Sequence, residues 1–362
     1  MKIVIIGFWT YPKKTPRAFR TWNLAEGFAA KGHEVILYSY TGGKDYDEET
    51  KGLFKVKNLG DCSSWVSSSI HDHEYSIIDR ILMKLVGEPD VYPYKKCYPH
   101  IKTALQQEGE IDLLISVAYP HVVHWAVEKY IDRRKVKTWV ADCGDPFMGN
   151  PFQKHRASLE KVERAWCEKV DYIAIPIKEG MQAYYLEYQN KIKIIPQGFD
   201  VENVEIAEYE KNRIPTFCFA GIVYPNQRDP RELLEYIYKK NLNVKFVVYS
   251  KNSIFYEYQR MMPEKIDIRG LVERDVLIKE MSKMDFLLNV KNINGVQAPS
   301  KLIDYTLAKR PILDISTHFT DEEKNNFKMF MTGDYSNQHM EIDISQFSIK
   351  KVCDDFIGLC SL

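Results

Sequence analysis

Residues 298–313 read APSKLIDYTLAKRPIL, and this stretch predicts one helix followed at once by one strand. Ser300 is suited to cap the start of the helix, and Pro311 ends it at or near Arg310. The first helical residue would be Lys301, although the positive end of a helix dipole favours an anion. The stretch therefore predicts an α/β unit and raises the question of which anion the helix start binds.

The same alternation of short strands and helices extends through the first half of the chain. The predicted strands are KIVIIG, EVILYS, FKVKN, DLLISV, KTWVAD, DYIAIP and KIKIIP. Helical patterns lie at 16–31, 76–86, 94–107, 121–131, 155–169 and 179–188. The strands are apolar on both faces, as expected for parallel strands covered by helices. We therefore predict a doubly wound α/β domain.

A second domain of the same kind follows a polar segment. Residues 200–215 lack apolar periodicity, and the pattern then restarts with TFCFAGIV, NVKFVVYS, IDIRGLV, DFLLNV and RPILDI. We predict Rossmann-like domains over 1–205 and 206–340, and a terminal helix within 341–362 that could pack back on the first domain. Ligands of such sheets bind beyond the carboxyl ends of the strands, so we expect the function in loops that face a cleft between the domains.

Composition and missing motifs exclude several classes of protein. The chain has 50 basic and 50 acidic residues, whereas a nucleic-acid footprint needs a basic excess. The seven cysteines are scattered without a Cys-x-x-Cys pair, which predicts reduced thiols in a cytoplasmic protein. No apolar run reaches the roughly 20 residues of a membrane span. The P-loop and Gly-x-Gly-x-x-Gly motifs are absent, which argues against a P-loop NTPase and an ordinary dinucleotide dehydrogenase.

The helix start at Ser300 could bind an anion. The N–H groups of Lys301, Leu302 and Ile303 would be free there, and the Lys301 ammonium adds a full charge. Asp304 lies one turn further on, where a carboxylate could accept hydrogen bonds from ribose hydroxyls. An ordinary capped helix with a solvated lysine fits this sequence equally well.

The stretch FAGIVYPNQRDPRELLEYI contains a second candidate anion site. A strand ends at Gly221, and Asp229 and Pro230 start a helix as its N-cap and first residue. Arg228 stands just ahead of that helix and could grip a diphosphate with two hydrogen bonds, while Gly221 leaves room for close approach. In the competing interpretation, Arg228 pairs with Asp229.

A basic cluster surrounds the predicted start of the first long helix. Thr15 is suited to its N-cap, Arg17 and Arg20 lie in its first turn, and Lys13 and Lys14 precede it. Cations at that end cost a few tenths of a kcal/mol each unless an anion compensates. This edge is therefore expected to meet phosphate or carboxylate, and solvated basic residues are the alternative.

The stretch TWVADCGDPFMGNP delivers two carboxylates into a loop after a strand. Asp145 either belongs to a plain turn or orients an attacking hydroxyl from the cleft, and Asp142 precedes it. His121 and His124 stand one helical turn apart, which is weak evidence for a metal, and no His/Cys/Asp spacing suits zinc. We therefore expect no metal site.

Together these segments resemble the GT-B-fold glycosyltransferases of family 4, which are retaining enzymes that use nucleotide sugars. The similar segments are TPRAFRTWNLAEGFAAKGHEV, WVADCGDP, IIPQGFD, FAGIVYPNQRDP, IRGLV and PSKLIDYTLAKRPIL, in the family's order. They span nearly the whole chain. The resemblance implies an α/β GT-B fold with two Rossmann-like domains facing a central cleft, the acceptor in the first and the donor in the second.

The resemblance also implies roles for particular residues. Those implied for donor binding are Gly221, Arg228, Arg269, Gly270, Leu271, Ser300, Lys301, Leu302 and Asp304. Those implied for the acceptor side are Lys13, Arg17, Arg20 and His121. Arg228 and Lys301 would hold the diphosphate, and the loop at Arg269 would contact the base. Asp145 would lie near the reacting sugar, and with Arg228 and Lys301 it completes the predicted catalytic set.

Four departures from the family pattern bear on the donor. Asp304 stands where the family has Glu and is one methylene shorter, and Lys309 replaces the usual helix-ending Gly. No Glu occurs between Glu280 and Glu322, so the first acid of the family's Glu-x7-Glu pair is missing. Gly144 stands where many relatives carry Arg. The donor sugar therefore cannot be inherited from the family.

The resulting hypothesis is a retaining glycosyltransferase that moves a sugar from a nucleotide diphosphate sugar to a saccharide or lipid-linked saccharide. We expect it to act in surface polysaccharide synthesis without cofactor or metal, in the cytoplasm or peripherally on the inner face of the membrane. One alternative is a GT-B-type sugar-nucleotide epimerase, with Asp142 and Asp145 as its acid and base. The other is a non-catalytic sugar-nucleotide-binding partner protein, favoured by Asp304 and the missing acid.

Overall fold

The computed structural model describes residues 1–62, 91–151, 153–291, 300–340 and 342–361. They form two compact units, one of Met1–Phe199 with Gln346–Leu362 and the other of Asp200–Ser345. Each unit is built on one parallel sheet with helices, so the predicted α/β class is confirmed. The helix predicted at 76–86 lies outside the described residues.

The helices and strands alternate along the described chain. The strands are β1 Lys2–Gly7, β2 Glu34–Ser39, β3 Lys55–Asn58, β4 Ile111–Ala118, β5 Val136–Cys143, β6 Tyr172–Ile175, β7 Ile192–Ile194, β8 Thr216–Ala220, β9 Lys245–Tyr249, β10 Ile266–Ile268, β11 Phe286–Val290 and β12 Ile312–Ile315. The helices are α1 Pro16–Ala30, α2 Asp47–Thr50, α3 Tyr98–Gln107, α4 Val122–Tyr130, α5 Glu160–Lys169, α6 Arg231–Lys239, α7 Ile254–Met261, α8 Arg274–Met281, α9 Ser300–Leu307, α10 Asp321–Thr332 and α11 Ile349–Gly358. None of these helices is both long and apolar enough to cross a membrane.

The sheet of the first unit has the strand order β3-β2-β1-β4-β5-β6-β7. Ile3 and Ile5 pack on one face of β1 and Val4 and Ile6 on the other, because helices cover both faces of a parallel sheet. The order reverses between β1 and β4, and open α/β sheets bind ligands outside the carboxyl ends of the strands at such a switch point. The loop after β1 is therefore the expected ligand position of this unit.

The second unit has the strand order β10-β9-β8-β11-β12, with its switch point between β8 and β11. Its core contains a stack of phenylalanines, in which the ring centroid of Phe217 lies 4.5 Å from that of Phe246 and 5.0 Å from that of Phe286. All three rings are buried, which fixes the strands that carry them. The loop after β8 and the helix that follows β11 are thus brought to one edge of the sheet.

The C-terminal helix α11 packs on α1 in the first unit. Val352, Cys353 and Phe356 join the core cluster on that face of the sheet, and the Phe356 ring lies 6.2 Å from that of Phe28. A Cβ on Gly27 would stand 2.7 Å from the Cys353 sulfur, so the two helices approach at a position where only glycine fits.

The helix predicted at 179–188 and the helix end predicted near residue 310 are both wrong. The segment 179–188 forms two 3₁₀ turns, because Tyr184 between them is extended and buried in the core while the hydroxyl of Tyr185 donates to Glu163 Oε2 at 2.9 Å. Helix α9 ends at Leu307 rather than near residue 310. Lys309 takes a left-handed conformation there, with φ of 53°, so the lysine reproduces the backbone turn that glycine usually makes.

Candidate functional site

A cavity of about 340 Å³ lies at the carboxyl end of β8, within the second unit. It is lined by Ala220, Gly221, Ile222, Tyr224, Arg228, Tyr249, Leu271, Val272, Leu277, Lys301, Asp304 and Tyr305. Its position is the switch point of the sheet, and its size falls within the range of small-molecule sites. Five of the residues predicted to bind the donor, Gly221, Arg228, Leu271, Lys301 and Asp304, are brought together here.

Lys301 presents a buried ammonium group with no hydrogen-bond partner. Its nitrogen lies 4.3 Å from the centroid of the Phe219 ring. Burial, with a smaller contribution from the nearby charge of Arg228, lowers the pKa of Lys301 to about 7. The cavity therefore holds a cation that its own surroundings do not neutralise.

Gly221 gives that cation its space. A Cβ at this position would lie 3.1 Å from Lys301 Cε and 3.2 Å from its Nζ. The residue has φ of 133°, a conformation that side chains disfavour. The backbone turn thus favours glycine, and a side chain here would also crowd the neighbouring lysine.

Arg228 closes a short turn at the cavity and adds a second unneutralised cation. Its N–H donates to the Tyr224 carbonyl at 2.8 Å, and its Nε is buried without a partner. The Asp229 carboxylate accepts from Arg231 Nε at 2.8 Å, so the alternative in which Arg228 pairs with Asp229 is wrong. Helix α6 begins at Arg231 rather than at Pro230, and the Asp229 carboxylate accepts from the Arg231 N–H at 3.1 Å.

Asp304 is held by Arg274, a residue that the sequence analysis missed. Arg274 Nε donates to Asp304 Oδ1 at 2.8 Å, and its Nη2 lies 2.7 Å from the same oxygen. Burial raises the pKa of Asp304, and the Arg274 charge opposes that rise. Both contacts use Oδ1, and no described residue bonds Oδ2. No local pattern signals this pair, because 30 positions separate its members.

The loop after β10 contributes apolar side chains but not its arginine. Leu271 is 62% exposed and lines the cavity with Val272. Arg269 does not line the cavity, because its guanidinium is held by Asp267 at 3.0 Å and Glu280 at 2.9 Å. It also donates to the Tyr249 hydroxyl at 3.0 Å. Arg269 was predicted to contact a base, and in the structure it positions the cavity residue Tyr249 instead.

The remaining donor predictions concern backbone groups. Gly270 turns the chain with φ of 70° and is not among the residues that line the cavity. Leu302 follows Lys301 in α9, and its side chain is buried. Ser300 begins α9, but its side chain lies outside the described residues. Anion binding by the N–H groups of this helix start stays a prediction.

In the first unit, the Asp142 carboxylate neutralises part of the basic cluster formed by Lys13, Lys14, Arg17 and Arg20. Arg20 is 2% exposed and donates from Nε and Nη2 to the two oxygens of Asp142, at 3.0 and 2.8 Å. Arg17 Nη1 lies 3.7 Å from the same carboxylate. The prediction that Arg20 binds an acceptor is therefore wrong, because it forms a buried ion pair. Arg17 is also confined, since its guanidinium would lie 2.4 Å from a Cβ on Gly144.

His121 supports the loop of Asp145 instead of facing an acceptor. The side chain is 6% exposed, and Nε2 donates to the Asp145 carbonyl at 3.0 Å. Burial lowers the pKa of His121 to about 4, so the ring is neutral at physiological pH. His124 is fully buried and bonds Ser116 at 2.8 Å. Asp145 itself is exposed, and within the described ranges no cluster of three or more His, Cys, Asp or Glu side chains could hold a metal.

Solved structures match the chain over its full length. HepE of Anabaena in complex with UDP shares 8% identity, with a TM-score of 0.64 over 100% of both chains. TarM shares 11% identity, with a TM-score of 0.64 over 100% of this chain and 99% of TarM. The lipopolysaccharide outer core galactosyltransferase WaaB shares 11% identity, with a TM-score of 0.60 over 99% of both chains. No family model and no curated protein matches. The fold is therefore GT-B.

Proposed function

We propose that the protein is a retaining, family-4-type glycosyltransferase that binds a nucleotide diphosphate sugar in the cavity of its second unit. The observation that carries this proposal is the convergence on the cavity of two cationic side chains, Lys301 and Arg228, whose Nζ and Nε are buried without a hydrogen-bond partner. Leaving such groups unpaired is costly, so the protein keeps them for a ligand that neutralises both. A diphosphate has the charge and the oxygens to do so.

The rest of the cavity fits the other parts of a nucleotide sugar. The free Oδ2 of Asp304 can accept a ribose hydroxyl, and Arg274 fixes that carboxylate in place. Leu271 and Val272 offer apolar surface for a base. HepE is named in complexes with UDP and UDP-glucose, and TarM in a complex with UDP, which favours a uridine nucleotide here.

Lys301 and Arg228 would also act in the chemical step. As the bond from the sugar to the diphosphate breaks, negative charge grows on the leaving phosphate, and preorganised cations stabilise it. In the front-face mechanism that the family resemblance implies, the leaving phosphate helps deprotonate the acceptor hydroxyl, so the protein needs no nucleophile of its own. Asp145 is exposed and is proposed to orient that hydroxyl. We propose that neither a metal nor a cofactor is needed.

The acceptor is proposed to be a saccharide or lipid-linked saccharide of a surface polysaccharide, and the protein to act in the cytoplasm. Peripheral membrane contact is supported by exposed apolar side chains in the first unit: Tyr11 is 40%, Phe19 45% and Leu53 54% exposed. The Lys44 nitrogen lies 5.4 Å from the centroid of the Tyr11 ring. Aromatic and basic side chains together suit an anionic membrane surface.

Calorimetric titration tests the donor site. We expect UDP to bind, and Arg228→Ala and Lys301→Ala each to weaken it by roughly 1–3 kcal/mol, as for a lost charge-assisted contact. The affinity for uridine, which has no phosphate, should be almost the same in both variants as in wild type. Lys328→Ala, an exposed lysine on α10, is the control. Unchanged UDP affinity in both cavity variants would show that the diphosphate binds elsewhere.

Product analysis separates the alternatives. An epimerase would convert the nucleotide sugar without an acceptor, and it needs two carboxylates, of which Asp142 is already buried against Arg20. A non-catalytic partner would bind UDP and turn over nothing. Transfer of label from UDP-sugar to an acceptor saccharide, with retention at the anomeric carbon, is the result expected of the proposed enzyme.

A further inference from the structure

Three polar atoms in the loop after β1 are buried and have no hydrogen-bond partner: Trp9 Nε1, Thr10 Oγ1 and Lys13 Nζ. Trp9 is 7% and Thr10 4% exposed, so water does not readily satisfy either group. Buried polar groups are nearly always bonded in native proteins. Three unsatisfied groups within five consecutive residues therefore indicate a ligand that the loop is built to bind.

The position of this loop in the fold supports that inference. It leaves the carboxyl end of β1, where the strand order of the first unit reverses between β1 and β4. The equivalent loop of the second unit follows β8, and there the unpartnered atoms of Arg228 and Lys301 line the cavity. Each unit thus combines a switch point with unpartnered donors in the loop that follows the strand there.

The chemistry of the three groups indicates an anion. The Lys13 ammonium lies 3.2 Å from the centroid of the Trp9 ring, whose face stabilises a cation but accepts no full hydrogen bond. Arg17 and Arg20 share the Asp142 carboxylate, whereas Lys13 has no ion pair in the described part of the chain. Lys13 therefore carries an uncompensated charge within the basic cluster.

We propose that Trp9, Thr10 and Lys13 form a site for a phosphate group. An indole N–H, a hydroxyl and an ammonium group offer donors on three side chains, which suits an oxyanion with at least three acceptor oxygens better than a carboxylate. That the phosphate belongs to the acceptor rests on the proposed glycosyltransferase function, but the anion site itself does not. The phosphate could belong to a soluble sugar phosphate or to a lipid headgroup.

The test uses full-length protein saturated with UDP, so that the cavity of the second unit is filled. Glucose 1-phosphate is then titrated by calorimetry, and binding to phosphatidylcholine vesicles with and without phosphatidic acid is measured by sedimentation. We expect phosphate-dependent binding in one of these two assays. The assay that shows it tells whether the phosphate belongs to a soluble sugar phosphate or to a lipid headgroup. Lys13→Met and the near-isosteric Thr10→Val should each weaken it about 10- to 100-fold, as for a lost bond to a charged group. Lys102→Met, on the exposed side of α3, is the control.

The outcomes distinguish this proposal from the donor site. No phosphate dependence in either arm, or binding that Lys13→Met and Thr10→Val leave unchanged, overturns it. UDP affinity should be the same in wild type and both variants, and a parallel loss of UDP binding also overturns it. If the protein fails to bind UDP but retains phosphate binding that depends on Lys13, the proposed function fails and the phosphate site stands. Thr10→Val keeps the test valid if Lys13→Met does not fold.

Discussion

Replacing Lys301 by methionine should make the protein more stable and unable to bind UDP. The ammonium is buried without a partner, and its pKa falls from the ordinary 10.5 to about 7. Each tenfold change in proton affinity corresponds to about 1.4 kcal/mol, which puts the cost of the charge at about 5 kcal/mol. Relaxation and solvent screening reduce that figure, so we expect Lys301→Met to raise the free energy of unfolding by roughly 1–3 kcal/mol at pH 6.

The free energy of unfolding gained by Lys301→Met should decrease as the pH rises. The folded protein releases the Lys301 proton near pH 7, whereas the unfolded chain holds it until about pH 10.5. The unfolded state binds more protons between these values, so wild-type stability rises with pH across that window. The stability difference between Lys301→Met and wild type is therefore full below pH 7 and decreases between pH 7 and 10.5. Urea unfolding at pH 6 and pH 9 measures it, with Lys328→Met as the exposed control.

Two results would refute the reasoning. If Lys301→Met destabilises the protein at pH 6, the ammonium has a native partner that stabilises it. If the difference between variant and wild type is the same at pH 6 and pH 9, the lysine does not titrate in that range. Retained UDP affinity in a folded Lys301→Met protein would separately refute the role of this cation in diphosphate binding.

Three further predictions concern the ribose contact, the metal and the first unit. Arg274→Gln should reduce the preference for UDP over 2′-deoxy-UDP by about 0.5–1.5 kcal/mol in paired titrations, because Asp304 loses the group that positions it. Transfer activity should persist in EDTA, and its loss with recovery on adding manganese would contradict the proposed electrostatic role of the cations. Arg20→Met should cost about 3–5 kcal/mol in urea unfolding, because the buried Asp142 loses both of its hydrogen bonds to Arg20 and keeps only Arg17 Nη1 at 3.7 Å, and the double variant with Asp142→Leu should recover much of it.

Sequence reasoning predicted most of the architecture because local patterns carry it. Strands buried on both faces have continuous apolar runs, and Thr15 caps α1 as expected, accepting from the Ala18 N–H at 3.2 Å. The same reasoning failed where a tertiary contact overrides a local pattern. Tyr184 and Tyr185 break the helix predicted at 179–188 because one enters the core and the other binds Glu163.

The part of the candidate site that the sequence predicted includes a glycine and two cationic residues. Gly221, Arg228 and Lys301 stand next to strand or helix ends, where the sequence marks them. Which cations are already neutralised is decided by partners far along the chain: Arg20 meets Asp142 across 122 positions, and no single-sequence pattern predicts that pair. Unpaired charge is therefore visible only in the folded protein.

The seating of α11 on α1 has a consequence for how the chain is made. Residues 346–362 complete the first unit, yet the ribosome synthesises them only after the whole of Asp200–Ser345. The second unit can thus fold on the nascent chain while the apolar face of α1, at Gly27 and Phe28, still waits for Cys353 and Phe356. Synthesis of the first unit starts before that of the second unit and is completed after it. Until then, the exposed apolar face of α1 is the surface that a chaperone would bind during translation.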